Sequence, residues 1–73
     1  MIEVDARGLS CPIPVVKTLK AINKNPESEI IVLLNDTVAK ENVLRLAKSK
    51  GYSVKLEHVN DEFRLILKPI KIA

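Results

Sequence analysis

"EIIVLL", Glu29 to Leu34, is an unbroken run of β-branched and aliphatic residues behind a single acid. It is too short for a typical helix, so it reads as a central strand. The rest of the chain arranges itself about this strand. Upstream, from Pro12 to about Asn23, Val15, Leu19 and Ile22 recur at i, i+4 and i+7 with Val16 beside them. Lys17, Lys20 and Lys24 point the other way, which is the pattern of an amphipathic helix. Pro26 in "NKNPES" breaks it. Downstream, "NDT" supplies capping residues for a second helix over about Val38 to Lys50. Ala39, Val43, Leu46 and Ala47 form its buried stripe, and Gly51 takes the left-handed position after its last turn.

The two ends of the chain add strands. "MIEVDA" alternates, with Ile2 and Val4 on one side and Glu3 and Asp5 on the other, and "RGLS" follows as a loop in which Gly8 is free to take a positive φ. "YSVKLEHV" alternates with Val54 and Leu56 inward, "NDE" is a turn, and "FRLILK" sets Phe63, Leu65 and Leu67 against Arg64, Ile66 and Lys68. The last two strands predict an antiparallel hairpin. The order β-α-β-α-β-β predicts an α/β (α+β) two-layer sandwich, with two helices packed on one face of a four-stranded mixed sheet. The opposite face would show Ile31, Leu33 and Ile66 among charges, either as a contact surface or as scattered exposed aliphatics.

At 73 residues the chain predicts a single domain, 1–73, with a core of Ile, Val and Leu, since it has one Tyr, one Phe and no Trp. No apolar run approaches a membrane span, and the N-terminus lacks the pattern of a signal peptide. The net charge of +3 is mildly basic and suits acidic partners. The cations are scattered and only Tyr52 and Phe63 offer stacking surfaces, so direct nucleic-acid binding is not expected. One cysteine makes no internal disulfide, no Cys/His cluster suggests a metal, and no cofactor motif is present. A reducing cytoplasm suits such a thiol.

That cysteine, Cys11, precedes Pro12, and Pro14 follows two residues later. With Pro12 at the first helical position, Cys11 is the N-cap and Pro14 falls where no amide has an intrahelical partner. A register one residue earlier would cost Pro14 a helical hydrogen bond, so the proline pair places the cysteine at the cap. There the helix dipole favours a thiolate, and Arg7 would add positive field if the loop folds back. A lone cysteine is often only a small core residue. A helix end that solvent reaches, capped by a residue type not preferred there, argues for a functional thiol instead.

A papain-type hydrolase needs a histidine base, and the one histidine, His58, reads as a solvent-facing strand residue. A redox pair needs a second cysteine. What remains is a nucleophilic sulfur that takes a group from one protein and yields it to another, with a persulfide, anionic near neutral pH, as the cargo. Asp5, Arg7 and Gly8 shape the approach loop; Asp5 reads equally as a loop-capping carboxylate, and Arg7 alternatively as an exposed loop charge. Lys17, Lys20 and Lys24 are a solvated face or a row that steers acidic partners.

"DARGLSCPIPVVKTLKAI", Asp5 to Ile22, resembles the motif of the TusA-like (SirA-like) sulfur-carrier family, and "KGYSVKLEHVNDEFRLILK" is similar to its later helix end and hairpin. "LNDTVAKENVLRLAKSKGY" looks closest to the N-terminal domain of YedF-type members, in some of which a second domain follows; the chain would then be the N-terminal part of a longer protein. The resemblance implies a βαβαββ sandwich that carries sulfur as a persulfide on Cys11, with Pro12 and Pro14 positioning the helix end, and acts as a sulfurtransferase-like carrier rather than a stand-alone enzyme. It implies a cysteine desulfurase as donor and a relay or modifying protein as acceptor, in tRNA thiolation, cofactor biosynthesis or selenium metabolism. A monomer or weak dimer is expected. The alternative is a non-catalytic RNA- or protein-binding regulatory module of the same fold.

Overall fold

The computed structural model describes residues 2–9, 13–26 and 28–70. Its elements run β1 (Ile2–Asp5), α1 (Ile13–Lys24), β2 (Ile30–Leu34), α2 (Thr37–Ser49), β3 (Tyr52–Val59) and β4 (Glu62–Pro69). The four strands form one sheet in the order β1-β2-β4-β3. β1 pairs parallel with β2, and β4 pairs antiparallel with both β2 and β3. The aliphatic run thus forms a central strand, and the two-layer α/β fold expected from the sequence is the one that forms.

Register assigns the faces. Val4, Val32 and Leu65 align across β1, β2 and β4, as do Ile2, Ile30 and Leu67 across the same strands. Ile30, Val32, Leu34, Leu65 and Leu67 are fully buried and join Ala39, Val43 and Ala47 of α2 and Ile22 of α1 in one core. Two alanines in the 39-43-47 line keep the α2 surface against the core shallow. Leu46, expected in that line, is half-buried, and Leu44 packs against the core instead.

The buried line of α1 is Pro14, Thr18 and Ile22, not the stripe through Val15 and Leu19, which are half-buried; Val16 is 44% exposed. The reason is local chemistry. The Thr18 hydroxyl donates to the Pro14 carbonyl at 2.8 Å, so its polarity is answered within the helix and its side chain packs as an apolar one. Pro14, in the first turn, forfeits no intrahelical bond and adds its ring to the core.

Two further expectations are corrected. Leu56 lies in register with Leu65 on the helix side of the sheet but is 45% exposed, because β3 is an edge strand. On the opposite face Ile31 is only 5% exposed, and Leu33 and Ile66 are half-buried. Their register neighbours Glu3, Lys55 and Arg64 carry aliphatic stems that can cover apolar surface. The exposed patch is therefore smaller than the alternation suggested.

The turns use expected chemistry. Asp36 caps α2, accepting from the Val38 amide at 3.2 Å. Tyr52, at the start of β3, is buried and donates its hydroxyl to the Pro26 carbonyl at 3.0 Å, tying that strand to the α1–β2 turn. Gly51 follows α2 at φ +79°, and nothing lies within 4 Å of where a Cβ would stand. Gly51→Ala therefore meets only backbone strain. We expect it to cost about 1 kcal/mol, or roughly 4–8 °C in midpoint, in thermal denaturation. Gly51→Asn should cost less, since Asn tolerates this conformation better.

Candidate functional site

Parallel pairing puts the C-terminal ends of β1 and β2 side by side, and each leads into the N-terminus of a helix. The β3–β4 hairpin turn lies at the same end, because Phe63, near the start of β4, pairs with Leu34, the last residue of β2. Two helix N-termini, the loop after β1 and the hairpin turn therefore share one end of the sheet, and carboxyl ends of parallel strands are a common place for sites.

The described part of the loop after β1, residues 6–9, is tied at each residue. Ala6 is fully buried, and its amide donates to the Leu33 carbonyl at 2.9 Å, extending the sheet by one bond. The Arg7 amide donates to Asp5 Oδ1 at 3.2 Å. The Arg7 guanidinium grips the same carboxylate with two bonds, Nε to Oδ1 and Nη2 to Oδ2, both at 2.9 Å. Its Nη1 reaches Glu62 Oε2 at 3.1 Å. Gly8 takes φ +77° and donates its amide to Asn35 Oδ1 at 2.9 Å. The Leu9 amide closes a turn on the Ala6 carbonyl at 3.3 Å, and its side chain packs against the core.

These contacts recast two of the expected site residues. Asp5 serves as the loop-capping carboxylate. Its acidity is held well below the usual carboxylate range, at about 2, first by the side-chain hydrogen bonds from Arg7 and then by the Arg7 amide, with a smaller pull from Lys17. Arg7 is engaged with two carboxylates, Asp5 first and Glu62 second, which raise its pKa further above its already high value. Its charge is thus shared between two acids, and its role in the fold is a fork that closes the loop.

Cys11 and Pro12 lie outside the described residues, so their expected places at the N-cap and first helical position stand as expectations. On the two sides of that stretch, Leu9 packs inward and Ile13 begins α1 with 47% of its surface exposed. Pro14 is buried beneath the helix. Lys17, Lys20 and Lys24 are exposed along α1. Lys17 is the one whose charge is felt at Asp5; the other two stand about 4.5 and 10.5 Å further along the helix axis. Lys24 sits in the last turn, where a cation complements the helix dipole.

Asn35 and Glu62 escaped the sequence reading because each had a local explanation, in a helix cap and in a turn. In the structure Asp36 alone makes the described cap bond. The hairpin turns at Asn60, with φ +56°, while Glu62 already pairs with Val59. Nearby, His58 is exposed and stacks on Phe63 with ring centroids 4.8 Å apart, and the Lys40 ammonium lies 4.8 Å from the Phe63 centroid. An open depression of about 270 Å³ is lined by Glu3, Leu33, Val59, Glu62, Phe63 and Arg64. That is below the roughly 300–1,000 Å³ of small-molecule sites. Ile13, Val16, Val38 and Val59 are exposed aliphatics on the elements that meet at this end. Among the described residues no cluster of His, Cys, Asp or Glu is placed to hold a metal ion, and no helix is long and apolar enough to cross a membrane.

The profile of the family described as Sulfurtransferase TusA matches residues 2–68, which include the whole tied loop, the Cys-Pro-x-Pro and both helices. The chain belongs to the TusA family. Among its relatives, a Methanocaldococcus jannaschii protein named as a candidate sulfur carrier is 39% identical over 93% of both chains. The Bacillus subtilis protein YrkI, named likewise, is 38% identical over 70% of this chain and 69% of its own. A crystal structure of a SirA-like protein from Desulfitobacterium hafniense superposes with a TM-score of 0.85 at 30% identity, covering 93% of this chain and 96% of that one. The TusA fold and the sulfur-carrier family are thus those of this chain.

Proposed function

We propose that this TusA-family protein carries sulfane sulfur as a persulfide on Cys11. The observation that carries the reading is the tied loop: Arg7 and Gly8 are fixed to Asp5, Glu62 and Asn35, so the chain enters the Cys-Pro-x-Pro from a defined direction. Beyond it, with Cys11 at the cap, the Ile13 amide at the start of α1 has no partner within the helix, a setting that favours an anionic sulfur. Pro14 contributes no amide, so the activation is modest.

In the proposed cycle the Cys11 thiolate attacks the terminal sulfur of a donor persulfide. A new S–S bond forms on Cys11, and the donor thiolate leaves. A nucleophile of the acceptor then attacks the outer sulfur and releases the Cys11 thiolate, with no net oxidation or reduction. The donor is a cysteine desulfurase, and the acceptor a relay or modifying protein of tRNA thiolation, cofactor biosynthesis or selenium metabolism, all in the cytoplasm. The exposed aliphatics Ile13, Val16, Val38 and Val59 would meet these partners, with Lys17, Lys20 and Lys24 steering acidic surfaces toward them.

Intact-protein mass spectrometry tests the reading. Incubated with a desulfurase and cysteine, the wild type gains the mass of one sulfur atom, reversible by a thiol reductant, and Cys11→Ser gains none. A wild type that stays unmodified with several desulfurases, or a Cys11→Ser variant that still gains reducible sulfur, refutes the assignment. Salt-dependent RNA binding indifferent to Cys11→Ala would point to the regulatory module instead.

A further inference from the structure

We infer that Asn35 and Glu62, distant in sequence from the motif, are positioning residues that set the reactivity of the motif thiol. The inference deepens the carrier reading and rests on it for its biological meaning, but its test does not require sulfur transfer. Two independent tethers reach the loop from different elements. The side-chain oxygen of Asn35, between β2 and α2, accepts from the Gly8 amide at 2.9 Å across 27 residues of sequence. The Glu62 carboxylate, at the head of β4, accepts from Arg7 Nη1 at 3.1 Å across 55 residues.

Each tether adds a long-range bond to a loop already shaped by the Asp5–Arg7 contacts and the Leu9–Ala6 turn. Gly8 sits at φ +77° with open space where a side chain would stand, so packing does not fix its position. Its amide bond to Asn35 adds a long-range constraint to a turn that the Leu9 amide closes on the Ala6 carbonyl. Arg7 is exposed, and its guanidinium bridges Asp5 at the end of β1 to Glu62 at the head of β4. Asp5 and Ala6 hold the loop to β1 and β2, while Asn35 and Glu62 tie it in addition to the start of α2 and to the hairpin. A reactive group tied to its scaffold by such contacts keeps its orientation to the groups that tune it, and loses that orientation when they go.

The test measures Cys11 alkylation by iodoacetamide as a function of pH in wild type, Asn35→Ala, Asn35→Asp, Glu62→Ala and Glu62→Gln. Amide NMR spectra verify the fold and report the Gly8 amide. Asn35→Ala and Glu62→Ala should shift the profile upward, toward the free thiol at about 8.5, and slow the reaction at pH 7 by roughly three- to tenfold. Asn35→Asp and Glu62→Gln each keep an acceptor oxygen in place, and at high salt they should recover most of the wild-type profile. Loss of stability alone would not produce that recovery.

Alanine variants that fold with a wild-type pH profile overturn the inference. So does an Asn35→Asp protein that protects the Gly8 amide yet reacts like Asn35→Ala. A wild type that shows the expected alkylation pattern but accepts no sulfane sulfur would overturn the carrier reading and leave the positioning role intact.

Discussion

Leu65→Ala lowers the thermal midpoint by roughly 10–30 °C, while Leu56→Ala, its neighbour across the hairpin, moves it by only a few degrees. The two leucines are register partners on the same side of the sheet. They differ in cover. Leu65 on β4 is fully buried, between β2 and β3 in the sheet, whereas Leu56 on the edge strand is 45% exposed. Truncating a buried leucine costs about 2–5 kcal/mol through lost transfer energy and the cavity left behind. In a domain of this size each kcal/mol is worth about 4–8 °C. A small domain holds little stability in reserve, so Leu65→Ala leaves a substantial unfolded population at physiological temperature. Leu56→Ala removes a side chain that water already reaches, and little cavity forms. Calorimetry or circular dichroism on the pair decides the matter. Equal losses would mean that the helices cover the β3 edge as fully as the centre of the sheet.

The same contrast shows which parts of the structure can be read from sequence. The run at 29–34 has one physical interpretation, and the helices and hairpin around it follow from periodicity and turn chemistry. The alternation of Val54 and Leu56 gave their side of the sheet correctly. It carried no information on where the helix layer ends, because that depends on strand order. On α1, counting apolar letters misplaced the buried line. A threonine bonded to its own helix and a proline in a first turn both behave as core residues, and only the packed structure reveals it. The site divides in the same way. Around Asp5, Arg7 and Gly8 the sequence showed a loop, a carboxylate suited to cap it and a glycine free to take positive φ, because those features involve near neighbours or one backbone angle. Asn35 and Glu62 were not legible, since their partners lie 27 and 55 residues away and each had a sufficient local role already.

Arg7→Gln returns the Asp5 carboxyl from about 2 to near its ordinary 3.8, and Arg7→Lys does not hold it at the wild-type value. The first cause of the low value is hydrogen bonding from the Arg7 side chain, with plain charge attraction a lesser one. A guanidinium presents two parallel donors to one carboxylate and a further donor to Glu62, in a fixed plane. An ammonium is a point charge on a flexible stem and does not reproduce that fork. Carboxyl-detected NMR titration therefore orders the proteins as wild type lowest, Arg7→Lys between, and Arg7→Gln highest.

The consequence for stability follows from the sign of the shift. Because folding lowers the Asp5 pKa, the clamp favours the folded state most fully above the unfolded value near 3.8. It loses that contribution as pH falls toward about 2. Wild type and Arg7→Gln should therefore differ by a constant amount above about pH 5 and converge in acid. Both partners are exposed, so the constant amount is small, and the decisive readout is the convergence together with the order of the three midpoints. An Arg7→Lys protein that matches wild type in both would show that charge alone holds the loop. Glu62 would then have to act on the loop through something other than the geometry of the Arg7 fork.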